Sequence, residues 1–284
     1  FFCYNFFMRK LIIIADWVWD SLSCAEVKTA VMGFLEKDVI PDISFITSTP
    51  STVHTAFLIE QMFFTVSRLG IPEETVIFQN TDPRINNNLF SSNPWNGKLL
   101  LLKLKNGLWV FGPNAGYDFS LIKKEIAQVF YYPNFEKGGQ FRSRDLYARL
   151  AAHFIEEKED ELDLEEISLD AIPPLTGYYV AHIDNFGNIK TTIKKSDLKG
   201  KVEYREKLKV KINNTVQEVT YAEGLFKYQP NQLIIYPGSS GSIDDPYLEI
   251  SVWRYFDDEN KNKTGSFYFK FPSCGDKIVL LFNN

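Results

Sequence analysis

Around Pro173-Pro174 the chain changes character, and that change constrains its fold more than any other feature. Ahead of it, short apolar runs alternate with helical patterns. Leu11 to Ala15 (LIIIA) is continuous, rich in β-branched residues and ends at Asp16, as expected for a strand buried on both faces. Thr75 to Phe78 (TVIF), followed by Asp82, and Leu108 to Phe111 (LWVF), closed by Gly112-Pro113, repeat the theme. Between them, Val53, Ala56, Phe57, Phe63 and Phe64 mark one face of a helix over Thr52 to Arg68. Leu146, Leu150 and Phe154 mark a second helix. Strands alternating with helices predict an α/β domain with a mostly parallel sheet over residues 8–170. Behind the prolines, YYVAHI, VEYREKLKVKI, QLIIYPG, YLEISVW, SFYFKF and KIVLLF read as strands separated by Gly, Asn and Pro. Residues 175–284 are therefore expected to form an all-β barrel domain.

The 284 residues are 45% apolar, enough for two cores. A net charge of −5 with scattered Lys and Arg argues against nucleic acid as a partner. The longest charge run, Glu156 to Glu166, is acidic and reads as a solvated face or loop. Cys3, Cys24 and Cys274 are few, odd in number and far apart, which fits a reducing compartment, so a cytoplasmic protein is expected. His54, His153 and His182 have no zinc-ligand spacing, so no metal is expected. No apolar stretch approaches the ~20 residues of a membrane span. Phe1 to Phe7 is apolar but lacks a basic flank and a small-residue cleavage site, so it does not read as a signal peptide. Met8-Arg9-Lys10 reads as a natural start, with the first seven residues upstream of it.

Ligands of open α/β sheets sit outside the carboxyl ends of the strands. Asp16 and Asp82 both follow apolar strands at that end. Such a pair suits ribose hydroxyls, a metal or a cationic ligand; equally, each carboxylate suits the cap of a following turn. Neither G-x-G-x-x-G nor G-x-x-x-x-G-K is present, so the usual phosphate cradles are missing.

The order of local motifs resembles one family, the S-adenosylmethionine hydroxide adenosyltransferases, relatives of the fluorinase and chlorinase. The resemblance runs from about Leu11 to Phe282. The family's T-D-F-G is matched by Ala15-Asp16-Trp17-Val18, and its D-I-T-H by Asp42-Ile43-Ser44-Phe45, with Phe57 in register behind it. F-P-x-G-T-V corresponds to Ile71 to Val76, and V-D-P-G-V-G to Thr81-Asp82-Pro83-Arg84. F-V-G-P-D-N-G corresponds to Val110 to Gly116, and F-H-G-R-D to Phe141-Arg142-Ser143-Arg144-Asp145, with Ala151-Ala152-His153 following. In the second part, I-D-x-F-G-N is intact as Ile183 to Asn188. Thr220-Tyr221-Ala222, Gly238 to Gly241, Leu248-Glu249-Ile250 and Gly275-Asp276 complete the series.

The resemblance implies S-adenosylmethionine as substrate or ligand, no cofactor or metal, and a homotrimer with sites between subunits. It assigns Asp16 to the ribose hydroxyls, because a carboxylate offers acceptors only. Asp184 would take the methionine ammonium and Ser239 and Ser240 its carboxylate, while Phe186 and Asn188 would contact adenine. Asp20 stands one residue short of a further acidic position near the methionine. Hydrolytic members use an Asp, an Arg and the His of F-H-G-R-D to place and activate water. Here the Asp is Asp82 and the His is Arg142, a donor that cannot act as a base near neutral pH. The Arg stretch is replaced by Arg84 to Asn88; either Lys98, as a substitute for the charge, or Gly97 aligns with the family Arg, and Ser143 occupies the halide-contacting position of the fluorinase. The implied activity is hydrolysis of S-adenosylmethionine to adenosine and methionine. A catalytically impaired binding relative and, third, a halide adenosyltransferase are the alternatives.

Overall fold

The computed structural model describes residues 9–36, 39–83, 90, 92–136, 139–255 and 259–282. The chain divides into two compact units, residues 1–175 and 176–284.

The first unit is built on seven strands: β1 (Lys10–Ala15), β2 (Asp42–Thr47), β3 (Thr75–Asn80), β4 (Leu99–Leu104), β5 (Trp109–Pro113), β6 (Ile126–Tyr131) and β7 (Glu165–Ile167). They lie in the order β2-β1-β3-β5-β4-β6-β7. Three α-helices accompany them, α1 (Ser21–Phe34), α2 (Thr52–Leu69) and α3 (Ala148–Ile155). The run LIIIA shows why β1 lies in the middle of the layers. Leu11 and Ile13 pack with Val27 and Val31 of α1 and Leu150 and Phe154 of α3. Ile12 and Ile14 point the other way, onto Ile59, Phe63 and Val66 of α2. Side chains alternate between the faces of a strand, so a strand covered on both sides must be apolar at every position. Fully burying each of these isoleucines contributes about 1.5–3 kcal/mol.

The sheet is mixed, which corrects the expectation of a mostly parallel one. β1 runs parallel to β2 and β3, and β3 parallel to β5. β4 runs antiparallel to both β5 and β6, and β6 antiparallel to β7. The reversal is made by the tight turn at Lys105-Asn106-Gly107, where Gly107 takes φ +90 and the Asn106 side chain accepts the Leu108 N–H at 3.2 Å. Asn-Gly between two apolar runs is a hairpin signal, and a hairpin can only join antiparallel strands. Part of the acidic run 156–166 becomes the short edge strand β7.

The second unit contains β8 (Tyr178–Ile183), β9 (Ile189–Lys194), β10 (Lys207–Ile212), β11 (Thr215–Tyr221), β12 (Leu233–Gly241), β13 (Pro246–Val252), a single helical turn α4 (Gly265–Tyr268) and β14 (Lys277–Leu281). The strand order is β10-β11-β12-β13-β9-β8-β14, and β14 pairs with both β8 and β10. All pairings are antiparallel except the short β11/β12 contact. β10 shows the alternation: Leu208, Val210 and Ile212 enter the core while Lys207, Lys209 and Lys211 face outward. SFYFKF is not a strand. Thr264 caps α4 by accepting the Phe267 N–H at 3.0 Å, and Lys270 and Phe271 leave the turn at φ +58 and +55. Strand-like alternation there is overridden by the cap and by two left-handed residues.

Candidate functional site

Because β1, β2, β3 and β5 run the same way, their carboxyl ends share one edge of the sheet. Asp16 directly follows β1, and Thr81 and Asp82 directly follow β3. A buried polar network fixes this edge. The Gln79 side chain donates to the Pro113 carbonyl at 2.7 Å and accepts the Thr81 N–H at 3.0 Å. Gly112 lies so close to Gln79 that a β-carbon there would collide with it. The Thr81 hydroxyl lies 2.8 Å from that of Ser48, at the end of β2, and accepts from that of Thr55 on α2 at 2.7 Å. Buried hydroxyls without partners are costly, so the interlocked set specifies one geometry for the segment that presents Asp82.

Asp16 is half-buried and Asp82 exposed. A third carboxyl, which the motif series passes over, belongs with them. Asp118 is completely buried; its Oδ2 accepts the Ala115 N–H at 3.0 Å while Oδ1 has no hydrogen-bond partner. Burial pushes its pKa well up, the charges of Asp82 and Asp16 adding to the effect. Its only sequence signal is its place two residues beyond Gly112 to Gly116.

Arg142 is exposed and precedes a five-residue π-helical stretch, Ser143–Tyr147, that leads into α3. Both Arg142 and Asp82 act on the Tyr147 phenol. Burial raises its pKa, Arg142 opposes that shift and Asp82 adds to it, so the cation and the carboxylate lie within electrostatic reach of one ring. Ser143 is buried; its Oγ accepts from the Trp17 indole at 3.1 Å and the Asn80 side chain at 2.6 Å. Arg144 is a structural cation, paired with Asp145 at 2.6 Å and with Glu26 of α1 at 2.9 Å. Lys98 is half-buried ahead of β4; its carbonyl accepts the Asn114 N–H at 2.8 Å. Asp20 caps α1, accepting the N–H groups of Leu22 and Ser23 at 3.2 Å and the Ser23 hydroxyl at 2.6 Å. The Ser23 hydroxyl and the Leu22 amide hold its pKa below the usual carboxylate value. Arg84 to Asn88 and the first eight residues lie outside the described residues.

In the second unit, the segment between β8 and β9 is organised by Asp184. Its Oδ1 accepts the backbone N–H of Phe186 at 2.9 Å and of Asn188 at 3.0 Å, and its Oδ2 accepts the Asn188 side chain at 2.9 Å. Gly187 takes φ +75, and a β-carbon there would lie 2.6 Å from Thr264. Glycine is required twice over, for its conformation and for the close approach. Phe186 is exposed, and the Asn188 side chain is held by the Ser251 hydroxyl.

Beside this turn stands Glu249, buried on β13, a further residue that the motif reading quoted without a role. It receives the Lys190 ammonium at 2.6 Å, the Ser239 N–H at 2.9 Å and the Tyr236 hydroxyl at 3.0 Å. Gly238 to Gly241, expected as a turn, is instead the end of β12, where the register against β13 shifts; Ser239 is exposed there and the Ser240 hydroxyl is buried without a hydrogen-bond partner. His182 lies in the same field. Burial and then Lys190 lower its pKa, with Asp184 and Glu249 opposing. Among the described residues, no group of three or more His, Cys, Asp or Glu side chains gathers as metal ligands.

Residues 178–253 match the family profile described as the SAM hydroxide adenosyltransferase C-terminal domain. A 172-residue stretch is 27% identical to the (R)-S-adenosyl-L-methionine hydrolase of Methanocaldococcus jannaschii, covering 58% of this chain and 61% of that protein. Two crystal structures share the fold across almost the whole chain. An uncharacterized conserved protein from Thermotoga maritima superposes with a TM-score of 0.65 at 21% identity, over 95% of this chain and 99% of that one. A conserved hypothetical protein from Thermus thermophilus does so at 0.57 and 17%, over 96% and 100%. Residues 178–253 thus resemble the C-terminal domain of the S-adenosylmethionine hydroxide adenosyltransferases, and the ordered motifs from Asp16 to Asp276 extend that similarity along the chain.

Proposed function

We propose that this chain binds S-adenosylmethionine and hydrolyses it to adenosine and methionine. The observation that carries the reading is the pairing of Asp16 and Asp82 at neighbouring parallel-strand ends, both acting on buried Asp118. Acceptors at this edge suit the donors of a ribose, and a negative field suits a sulfonium. In the other unit, the Asp184–Asn188 turn offers an exposed aromatic ring, Phe186, for a base. Its carboxylate accepts three hydrogen bonds from the turn, and a carboxylate there suits the ammonium of the methionine part. We read the second unit as the barrel of the family, and the working protein as a cytoplasmic homotrimer that completes each site from two subunits.

The reaction is a displacement at the ribose 5′ carbon. A water oxygen forms the new bond to carbon as the carbon–sulfur bond breaks, and that electron pair leaves with sulfur. Methionine departs neutral at sulfur, so the leaving group needs no proton. The attacking water loses one, and Asp82 accepts it. Arg142 supplies positive charge beside the developing hydroxide but cannot serve as base. The protein's contribution is placement in line and exclusion of bulk water.

The second reading is a binding protein with slow or no turnover. The observation favouring it is Arg142 itself, a guanidinium where hydrolytic members carry a basic imidazole. Halide transfer is disfavoured by the charge of Asp82, which repels an attacking anion. Calorimetric titration tests the shared premise. S-adenosylmethionine should bind the wild type, and Asp16→Ala should abolish that binding. Unchanged affinity in the variant removes Asp16 from the ribose contact.

A further inference from the structure

Three segments far apart in sequence meet at one oxygen. The Trp17 indole N–H, just after β1, lies 3.1 Å from Ser143 Oγ, and the Asn80 side-chain amide, at the end of β3, lies 2.6 Å from it. Ser143 has no exposed surface, while Trp17 and Asn80 are each half-buried, so the shared acceptor itself is shielded from bulk water. A hydroxyl has two acceptor lone pairs, and two N–H donors fill both. The Asn80 tie survives rotation of its amide, which would exchange donor for acceptor across the same 2.6 Å. Trp17 is further held between two rings, edge-on to Phe45 at 6.4 Å and to Phe141 at 5.4 Å between centroids.

The neighbours of these three residues are the charged groups of the candidate site. Trp17 follows Asp16, Asn80 stands two residues before Asp82, and Ser143 follows Arg142. The π-helical turn, in which the Ala148 N–H reaches back to the Ser143 carbonyl, sets Ser143 at the junction. Such wide turns recur at functional sites.

We propose that Ser143 is a positioning residue rather than a catalytic one: a buried node that clamps Trp17 and Asn80 and thereby fixes the spacing of Asp16, Asp82 and Arg142. In its functional consequence this rests on the reading of Asp16 and Asp82 as substrate-binding and reacting groups. Loss of the node loosens all three at once, although none of the three charged side chains is altered.

A double-substitution cycle tests it. Ser143→Ala, Asn80→Val and the double variant are compared with wild type in S-adenosylmethionine affinity and in denaturant stability. The Trp17 indole N–H resonance is followed in parallel, identified by its disappearance in Trp17→Phe. Ser143→Ala should shift that resonance and weaken binding about tenfold, the order expected when a buried donor loses its partner. The double variant should lose little more than Ser143→Ala alone, because both substitutions break one node. Additive losses, or an indole resonance unmoved by Ser143→Ala, overturn the proposal. Asn80→Val keeps Ser143 and Trp17 in place, so it carries the affinity test if Ser143→Ala does not fold. A wild type that binds no S-adenosylmethionine, while stability is coupled and the resonance shifts, overturns the functional reading and supports the node.

Discussion

Asp184 grips Asn188 twice, through its backbone N–H at 3.0 Å and its side-chain amide at 2.9 Å. The acidic residue and the last residue of the most intact motif in the chain are thus tied to each other. The carboxylate assigned to a ligand also builds the turn that presents Phe186. Asp184→Ala should therefore lower stability by about 1–3 kcal/mol as well as remove ligand affinity. Chemical denaturation measures the first effect and calorimetry the second. Full stability in the variant would show that the turn holds without its central acceptor.

Glu249 gives a larger effect. It is buried and holds Lys190, the Ser239 N–H and the Tyr236 hydroxyl. Removing one partner of a buried ion pair strands the other, so Glu249→Ala should cost about 3–5 kcal/mol. Thermal unfolding of the variant checks this, and a change below about 1 kcal/mol would mean that water replaces the carboxylate.

Asp118 sets a pH dependence whose sign is fixed by its burial. Its folded-state pKa is raised above the unfolded value. Its contribution to stability is therefore fully present below the unfolded pKa and is lost as pH rises through the folded one. Asp118→Asn removes the ionisation and should remove that loss. The melting temperature of the variant should exceed that of wild type at alkaline pH, with the gap closing as pH falls. A constant gap across pH would show that Asp118 does not titrate in this range.

Much of this was legible in the sequence. LIIIA declared a strand buried on both faces because every position is apolar, and the helix over Thr52 to Arg68 appears as α2. The mixed sheet is not legible in the strands themselves, because Leu99 to Leu104 shows the same apolar run whichever way it lies; only the Asn106-Gly107 turn signals reversal. SFYFKF misled because its alternation is that of a strand while its conformation is dictated by Thr264 and by the left-handed pair Lys270 and Phe271. In the candidate site, Asp16 and Asp82 announced themselves by following strands. Asp118 and Asn80 did not, since a carboxyl in a loop and an amide at a strand end carry no pattern. Their importance comes from burial and from what they meet, which only the folded chain supplies.

The central claim is tested most directly by incubating purified protein with both sulfonium epimers of S-adenosylmethionine and resolving the products by chromatography, with and without chloride. The account predicts adenosine and methionine above a no-protein control, independent of chloride. It also predicts that Asp82→Asn reduces turnover by about 10²-fold or more, as for loss of a general base, with affinity retained. Tight binding with no product, or product undiminished in Asp82→Asn, would contradict it.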